Sequence, residues 1–513
     1  MTGVDGGCGV GGWDPIHLRV VSGALRAACE EMGAVLVRAA HSANIKERRD
    51  ASCALFDAAG QMVMQAEHIP VHLGAMPDAV AAVARRRDGA DAAPWVLNDP
   101  FAGGTHLPDI TVVTPVLAGG ELFGFAASRA HHADVGGPTP GSMPADSRTL
   151  ADEGVVIEPQ PLDDGAIERL AAQMRQPAQR RADLRAQLAA NRTGARRLGE
   201  LRERLGADGL RAALEETVDY AERRMRACLA ELPDGPREAH DLLEAAEGDL
   251  ELRLTATVAG DELLLDFGGS AAQHEGNLNC PLAVTRSACW FAVRVLTDPD
   301  IPPAAGAMRP VTVRAPEGSL LNARPPAAVV AGNVETSSRV ADLVLAAFGR
   351  ALGQGTMNNL TLGSEEFAYY ETLGGGQGAC PDADGPSGVH VAMSNTLNTP
   401  VEALELEFPL RVVRYGMRRG SGGEGRHRGG DGIVRELEAL APMRYSLLTE
   451  RRRHAPPGAD GGRPGARGRN LLDGDELPPK AAGSLRPGQR LRIETPGGGG
   501  HGAYPTDFVG GHK

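Results

Sequence analysis

Two segments rich in imidazole and carboxylate, Thr105-His-Leu-Pro-Asp109 and Arg129-Ala-His-His-Ala-Asp134, are the part of this sequence best suited to chemistry. They lie where histidine is concentrated: His17, His41, His68, His72, His106, His131 and His132 are half of the chain's 14 histidines and fall in its first 135 residues. Imidazole nitrogens and carboxylate oxygens bind Zn²⁺, Mn²⁺ or Fe²⁺. Two imidazoles with one carboxylate leave coordination positions open, one of them for water, as a catalytic rather than a structural site requires.

The residues between the segments form a hairpin pattern. Ile110–Val116 and Leu122–Ser128 flank Leu117-Ala-Gly-Gly-Glu121, and a two-residue Gly119-Gly120 turn sets Asp109 opposite Ala130 and Pro108 opposite His131. Facing side chains on paired strands have roots roughly 5 Å apart, so His106, Asp109 and His131 can converge on one cation. Pro115 weakens strand pairing and opens an alternative: a bulge there shifts the register by one, and His132 replaces His131.

Other residues are candidates for supporting contacts. In His68-Ile-Pro-Val-His72 the proline keeps the two histidines from sharing a helical face, leaving substrate-contacting and structural roles both open. Lys46 belongs to the charged run Asn44-Ile-Lys-Glu-Arg-Arg-Asp50, which is either a solvated face or an anion-binding or subunit-contact surface. Asp50, in the same run, and Asp99, in the turn signal Asn98-Asp-Pro100, are further candidates to touch substrate or support a ligand.

Several chemistries have no sequence support. G-x-x-x-x-G-K-[ST] is absent, and the glycine runs Gly374–Gly378, Gly420–Gly432 and Gly497–Gly502 do not sit between a strand and a helix, so no nucleotide site is read in this chain. A G-x-S-x-G elbow and a Ser/His/Asp set are also missing. The net charge of −13 disfavours nucleic acid, which requires a cationic surface. The seven cysteines are scattered, never spaced as C-x-x-C, which argues against a disulfide framework or zinc ribbon. The apolar stretch Leu282–Leu296 is broken by Arg286 and Arg294 and falls short of a membrane span; the N-terminal residues do not read as a secretory signal.

These residues must be positioned by a large folded chain of mixed α/β class. Asp14-Pro15 reads as a helix cap with proline at the first turn, and Ile16 to Val37 has apolar residues at helical spacing. Ser52–Phe56 and Gln61–Met64 around Asp57-Ala-Ala-Gly60 predict a hairpin, Pro77–Arg87 a helix, and Trp95–Leu97 a short strand. Between about 166 and 232 the Arg, Glu, Ala and Leu content predicts helices with a solvated face. Leu250–Val258 and Glu262–Phe267 predict another hairpin, Val284–Leu296 and Ser337–Leu352 two helices, and the segment from Val401 a mainly β region with Gly-rich turns. The expected division is a flexible tail (1–12), a metal-site α/β domain (13–165), a helical insert (166–235), an α/β domain (236–400) and a β-rich, Gly-rich region (401–513).

The sequence also resembles the hydantoinase B/oxoprolinase family. The matching stretches are Asp14-Pro-Ile, Ile45-Lys-Glu-Arg-Arg-Asp50, Glu67-His-Ile-Pro-Val-His-Leu-Gly74, Gly103-Gly-Thr-His-Leu-Pro-Asp109, His131-His-Ala-Asp134, Asp266-Phe-Gly-Gly-Ser270, Gly276-Asn-Leu-Asn279, Ala331-Gly-Asn-Val-Glu335 and Arg426-His-Arg-Gly-Gly430. The resemblance implies a hydantoinase B-like fold and a cytoplasmic hetero-oligomer with an A-type partner of actin-like ATPase fold. That partner, not this chain, binds ATP. The implied activity is hydrolysis of hydantoins, 5-oxoproline or other lactams; the alternatives are a subunit of an acetone- or acetophenone-type carboxylase and a non-catalytic scaffold for the ATPase. The implied metal ligands are again His106, Asp109 and His131, with His72, His132 and Asp134 to orient a ligand or move a proton. Ala51 and His501 depart from the family, which commonly has aromatic residues there, and this bears on substrate more than on metal.

Overall fold

A computed structural model describes residues 14–67, 69–89 and 91–503; the tail expected at 1–12 and the candidate His68 lie outside them. The chain begins with helix α1 (Pro15–Ala39), capped as expected by the Asp14 carboxylate, which accepts the Ile16 N–H. A single turn, α2 (Ala43–Lys46), leads into a hairpin of β1 (Ala51–Asp57) and β2 (Met62–Glu67), and α3 (Met76–Arg86) follows. Strands β3 (Trp95–Leu97), β4 (Asp109–Ala118), β5 (Glu121–His131) and β6 (Gln160–Pro161) complete a six-stranded sheet in the order β2-β1-β5-β4-β3-β6.

Both faces of this sheet are covered, and strand periodicity divides its side chains accordingly. Cys53 and Leu55 of β1 and Ala126 and Ala130 of β5 join the core that contains α1. Their neighbours Ala54, Phe56, Phe125 and Ala127 pack with Met76, Val80 and Val83 of α3. Burial on two sides explains why these strands read as nearly continuous apolar runs.

After α4 (Asp164–Ala171), the helical stretch α5 runs from Pro177 to Ala230, with a break where Gly206 takes φ 74°. Its solvated charges include Arg223 with Glu216 at 2.5 Å. Its inner side packs on α1, β4 and β5. There Gln187 donates to Ile110 O and Asn191 to Val112 O, so this helix is a wall of the sheet that carries the candidate residues.

The second half adds β7 (Gly235–Ala245), β8 (Gly248–Ala259), β9 (Glu262–Asp266) and β10 (Val311–Arg314), a sheet ordered β10-β9-β8-β7, with helices α6 (Leu282–Leu296) and α7 (Ser337–Ala347). Helix α7 stops before the expected Leu352 because Gly349 takes φ 72° and turns the chain. Then come β11 (Asn359–Gly363) and β12 (Ala368–Glu371). The region expected to be β-rich from Val401 first forms one short helix, α8 (Val401–Glu407), and then seven strands: β13 (Leu410–Arg418), β14 (Gly432–Ala439), β15 (Met443–Leu448), β16 (Arg469–Leu472), β17 (Asp475–Leu477), β18 (Lys480–Leu485) and β19 (Arg490–Glu494). They make two sheets, β12-β11-β15-β18 and β13-β14-β19-β16-β17, around a second core that includes Leu360, Tyr369, Leu437 and Ile493. Among the described residues no helix is long and apolar enough to cross a membrane.

Candidate metal centre

The site starts from a one-residue irregularity in the β4–β5 hairpin. Gly119 and Gly120 take φ 61° and 85°, the positive values that a tight two-residue turn requires. Next to the turn Leu117 pairs with Leu122, but Val116 pairs with Gly124, so Phe123 is an extra residue on β5. Every later pair is shifted, and Asp109 stands directly opposite His131. Directly paired residues project to the same face of a sheet, and a one-residue slip reverses the face. The unshifted register would have sent the two side chains to opposite faces; the bulge brings them together.

This corrects the expected consequence of a shift. His131 stays with Asp109, while His132 projects to the α5 side, where its Nε2 lies 3.0 Å from Gln187 Oε1. Burial pushes the His132 imidazole down to about 4, opposed by the nearby Asp183 charge. We expect His132→Ala to leave bound metal unchanged while costing about 1–3 kcal/mol of stability through the unpaired Gln187. Elemental analysis and thermal unfolding check the two halves of that expectation.

Around Asp109 the geometry is dense. Its Oδ2 accepts a hydrogen bond from Thr105 Oγ1 at 2.6 Å and lies 3.0 Å from His106 Nδ1 and 3.3 Å from His72 Nε2; its Oδ1 lies 3.6 Å from His131 Nδ1. Potential ligand atoms of His106, Asp109 and His131 all fall within 4.8 Å of one another, and all three residues are buried. Yet His72 Nε2, both ring nitrogens of His106, Asp109 Oδ1 and His131 Nε2 have no well-aligned hydrogen-bond partner among the described residues. Buried polar atoms are rarely left so, and a cluster of orphaned imidazole and carboxylate atoms converging on one point fits a bound cation.

The electrostatics agree. Burial alone would raise the Asp109 carboxyl, but the imidazoles of His106 and His72 hold it well below the usual carboxylate range. Burial and the His106 charge hold His131 well below the usual imidazole range, leaving a neutral ring with a lone pair for a ligand. Asp50, whose Oδ2 lies 3.9 Å from His131 Nδ1, is pushed up to about 7 by burial and then by the Asp109 charge, against the pull of Arg48. Two carboxylates in one buried space repel each other, and a divalent cation between them would let both ionise. Asp50 is thus a further donor within reach.

Several residues hold these groups in place. His72 is anchored through Nδ1, 3.0 Å from Ser52 Oγ on β1. The His131 ring stacks on Tyr370 of β12, with centroids 4.4 Å apart and planes at 10°. Asn44 Nδ2 donates to His131 O at 2.7 Å. Arg48, fully buried, donates to Asn44 Oδ1, Tyr370 O, Thr372 Oγ1 and Thr396 Oγ1, which ties the first sheet to residues more than 320 positions away. Gly104, just before Thr105 and His106, passes so close to Asn98 O that a Cβ would lie 2.3 Å from it. Gly104→Ala should therefore cost about 1–3 kcal/mol by overpacking and displace the His106 loop, read as a lower unfolding temperature together with lowered metal content.

The remaining candidates are used elsewhere. Both oxygens of Asp134 are taken by loop contacts: Oδ1 accepts from Gly136 N and Arg175 N, Oδ2 from Gly141 N and the Arg175 side chain. That saturation removes it from the groups able to move a proton. Asp99 caps its own turn, accepting Phe101 N at 2.9 Å. Lys46 is exposed. His72, Asp50, His106, Asp109 and His131, by contrast, line one tight cavity of about 20 Å³, whose other walls include Ile69, Val71, Asn333, Val334, Met357, Met393, Tyr370 and a set of hydroxyls. Sequence reasoning missed Arg48 as a brace, although it stood in the noticed charged run; Tyr370 gave no local signal.

Comparison with known proteins places this geometry in context. Residues 14–504 match the family model described as Hydantoinase B/oxoprolinase. The chain is 41% identical to 5-oxoprolinase 1 of Arabidopsis thaliana, in an alignment covering 96% of this chain but 42% of that longer protein. It is 31% identical to a Pseudomonas sp. (strain NS671) protein described as one subunit of a D-/L-hydantoinase, covering 95% of this chain and 90% of the relative. Among solved structures it is similar to the ATP-dependent caprolactamase from Pseudomonas jessenii, with a TM-score of 0.90, 29% identity, and coverage of 96% of this chain and 92% of that one.

Proposed function

Since the chain belongs to the hydantoinase B/oxoprolinase family, we propose that it opens the ring of a small cyclic amide together with an A-type ATPase partner, and that His106, Asp109 and His131 hold a divalent transition metal (Zn, Mn or Fe) for that reaction. The observation that carries this reading is the buried cluster of orphaned nitrogens and oxygens at the β4–β5 bulge. The relatives described as a 5-oxoprolinase and as an ATP-dependent caprolactamase support the hydrolytic reading over the carboxylase one.

An amide is a poor electrophile. Phosphorylation of its carbonyl oxygen makes the carbon attackable and supplies a leaving group, and we assign that step to the partner because this chain has no P-loop sequence. In this chain the cavity presents a polar end, with Asp50, His72 and the His106/Asp109/His131 cluster, and apolar walls from Val71, Met357 and Met393. A metal held by His106, Asp109 and His131 would supply Lewis acidity, which lowers the pKa of water. The Tyr370 stack and the Asn44–Arg48 contacts keep the His131 ring from turning away. A cytoplasmic setting, where ATP is at hand, belongs to the same proposal.

The test is ATP-dependent ring opening of 5-oxoproline, hydantoin and caprolactam by the chain alone and with its partner. We expect turnover only with the partner. Robust ATP-dependent hydrolysis by the isolated chain contradicts the assignment of ATP to the partner, and bicarbonate-dependent ATP turnover without ring opening favours the carboxylase reading.

A further inference from the structure

One wall of the cavity comes from residues 389–396, and it contains a second chemical pair. Ser394 lines the same cavity as His106, Asp109 and His131 and is 4% exposed, and its Oγ is hydrogen-bonded to His390 Nδ1. The local backbone makes this pairing. Ala392 takes φ 51°, a left-handed conformation that a residue with a Cβ enters at a cost, and Ser394 N donates to Val391 O at 3.3 Å. The chain doubles back there and brings positions 390 and 394 together.

The other side of the imidazole faces a chain of hydroxyls. His390 Nε2 lies 3.4 Å from Thr396 Oγ1, which is 2.6 Å from Thr372 Oγ1, and Arg48 donates to both hydroxyl oxygens. Arg48 can only donate, which leaves Thr396 Oγ1 a lone pair able to accept from Nε2–H. In the tautomer with that proton on Nε2, Nδ1 accepts from Ser394. Burial, with the Arg48 charge second, pushes the imidazole down to about 4, so the ring is neutral near pH 7. The ring thus bridges two hydroxyls that line the cavity, those of Ser394 and Thr396.

From this arrangement we infer that Ser394 and His390 form a proton-carrying pair for ring opening, an inference that rests on the cyclic-amide reading above. As water adds to the activated carbon, the C–O bond forms and the water O–H bond breaks. Its proton passes to Ser394 Oγ while the Ser394 proton passes to His390 Nδ1. When the ring C–N bond then breaks, nitrogen keeps the electron pair and takes the proton back from His390 through Ser394, the new oxygen loses its remaining proton to solvent as it becomes the carbonyl, and the acyl phosphate so formed yields carboxylate and free phosphate when a second water displaces the phosphate. Ser394 is the group that touches the reacting atoms; His390 acts through it.

Three variants of this chain, each assayed in the complex with its partner and ATP, test the pair. His390→Gln keeps a hydrogen-bonding side chain but cannot carry the proton, and Ser394→Ala removes the hydroxyl. Both should lower kcat by about 10²- to 10⁴-fold, with KM, metal content and unfolding temperature close to wild type. Ser394→Thr, which restores a hydroxyl, should recover most of kcat. Wild-type kcat in His390→Gln or Ser394→Ala overturns the pair while leaving the functional reading intact, as does a loss of kcat that tracks loss of metal or stability and is not rescued by threonine. Absence of ring opening by the wild-type complex on 5-oxoproline, hydantoin and caprolactam overturns the functional reading, and the pair with it.

Discussion

Asp109→Asn in the complete complex should lower ring-opening kcat by about 10³-fold or more, the equivalent of several kcal/mol of lost stabilisation at the reacting carbon. Asparagine has nearly the same shape, so the effect isolates the charge. Asp109 lies within 3.6 Å of the nearest ring nitrogens of His72, His106 and His131 and accepts the Thr105 hydroxyl, and among the described residues no other group in the cavity contacts all of these. Its ionised state is also what sets it against Asp50: burial is the larger cause of the raised Asp50 carboxyl and the Asp109 charge the second. Removing that charge leaves Asp50 as the one carboxylate facing His131. Retained turnover in Asp109→Asn, with the partner and ATP present, would count directly against a metal-dependent step in this cavity.

The second large effect is expected in stability and arises far from the cavity's chemistry. Arg339→Ala should destabilise the protein by about 3–5 kcal/mol, the cost of stripping a buried charge network of its central cation. Arg339 is fully buried on α7, donating to Asp241 Oδ2 of β7 at 3.0 Å and to Glu450 Oε2 at 3.0 Å. Arg451 joins the same network through Asp241 at 2.7 Å and Asp342 at 3.2 Å, and Lys480 of β18 pairs with Glu450. These contacts fasten the second sheet to the C-terminal sheets, so the loss should appear as a lower unfolding temperature for the whole transition. Arg223→Ala, which removes a half-exposed ion pair with Glu216 within α5, is the control and should shift it little. Equal shifts in the two variants would contradict the view that the buried network joins the two halves.

What could be read from the sequence follows how local the responsible physics is. The β4–β5 hairpin was legible because Gly119-Gly120 sits between two apolar runs, and its far ends hold the imidazoles and the carboxylate. The register was not, because Gly124, beside the bulge at Phe123, marks an irregularity without saying which strand gains the residue, and Pro115 pointed to the opposite strand. The consequence was large, since that single residue decides whether Asp109 and His131 share a face. The α5 stretch was legible as helix but not as a wall of the sheet, because Gln187 and Asn191 look like solvated positions until they are seen donating to strand carbonyls. Tyr370, Thr372 and Thr396 reach the site through folding of segments hundreds of residues away, and no local pattern marks such contacts. Asp134, a carboxylate beside two histidines in sequence, accepts hydrogen bonds from its own loop and from Arg175, contacts that its sequence position did not reveal.

The central claim is that the cluster at the bulge binds metal, and the most direct measurement is elemental analysis of the wild-type protein and of Asp109→Ala, both purified without added metal. About one transition-metal ion per wild-type chain, lost in the variant, is the predicted result. Equal metal in the two proteins, or none in either, would contradict it and would favour a scaffold role for this chain beside the proposed ATPase partner.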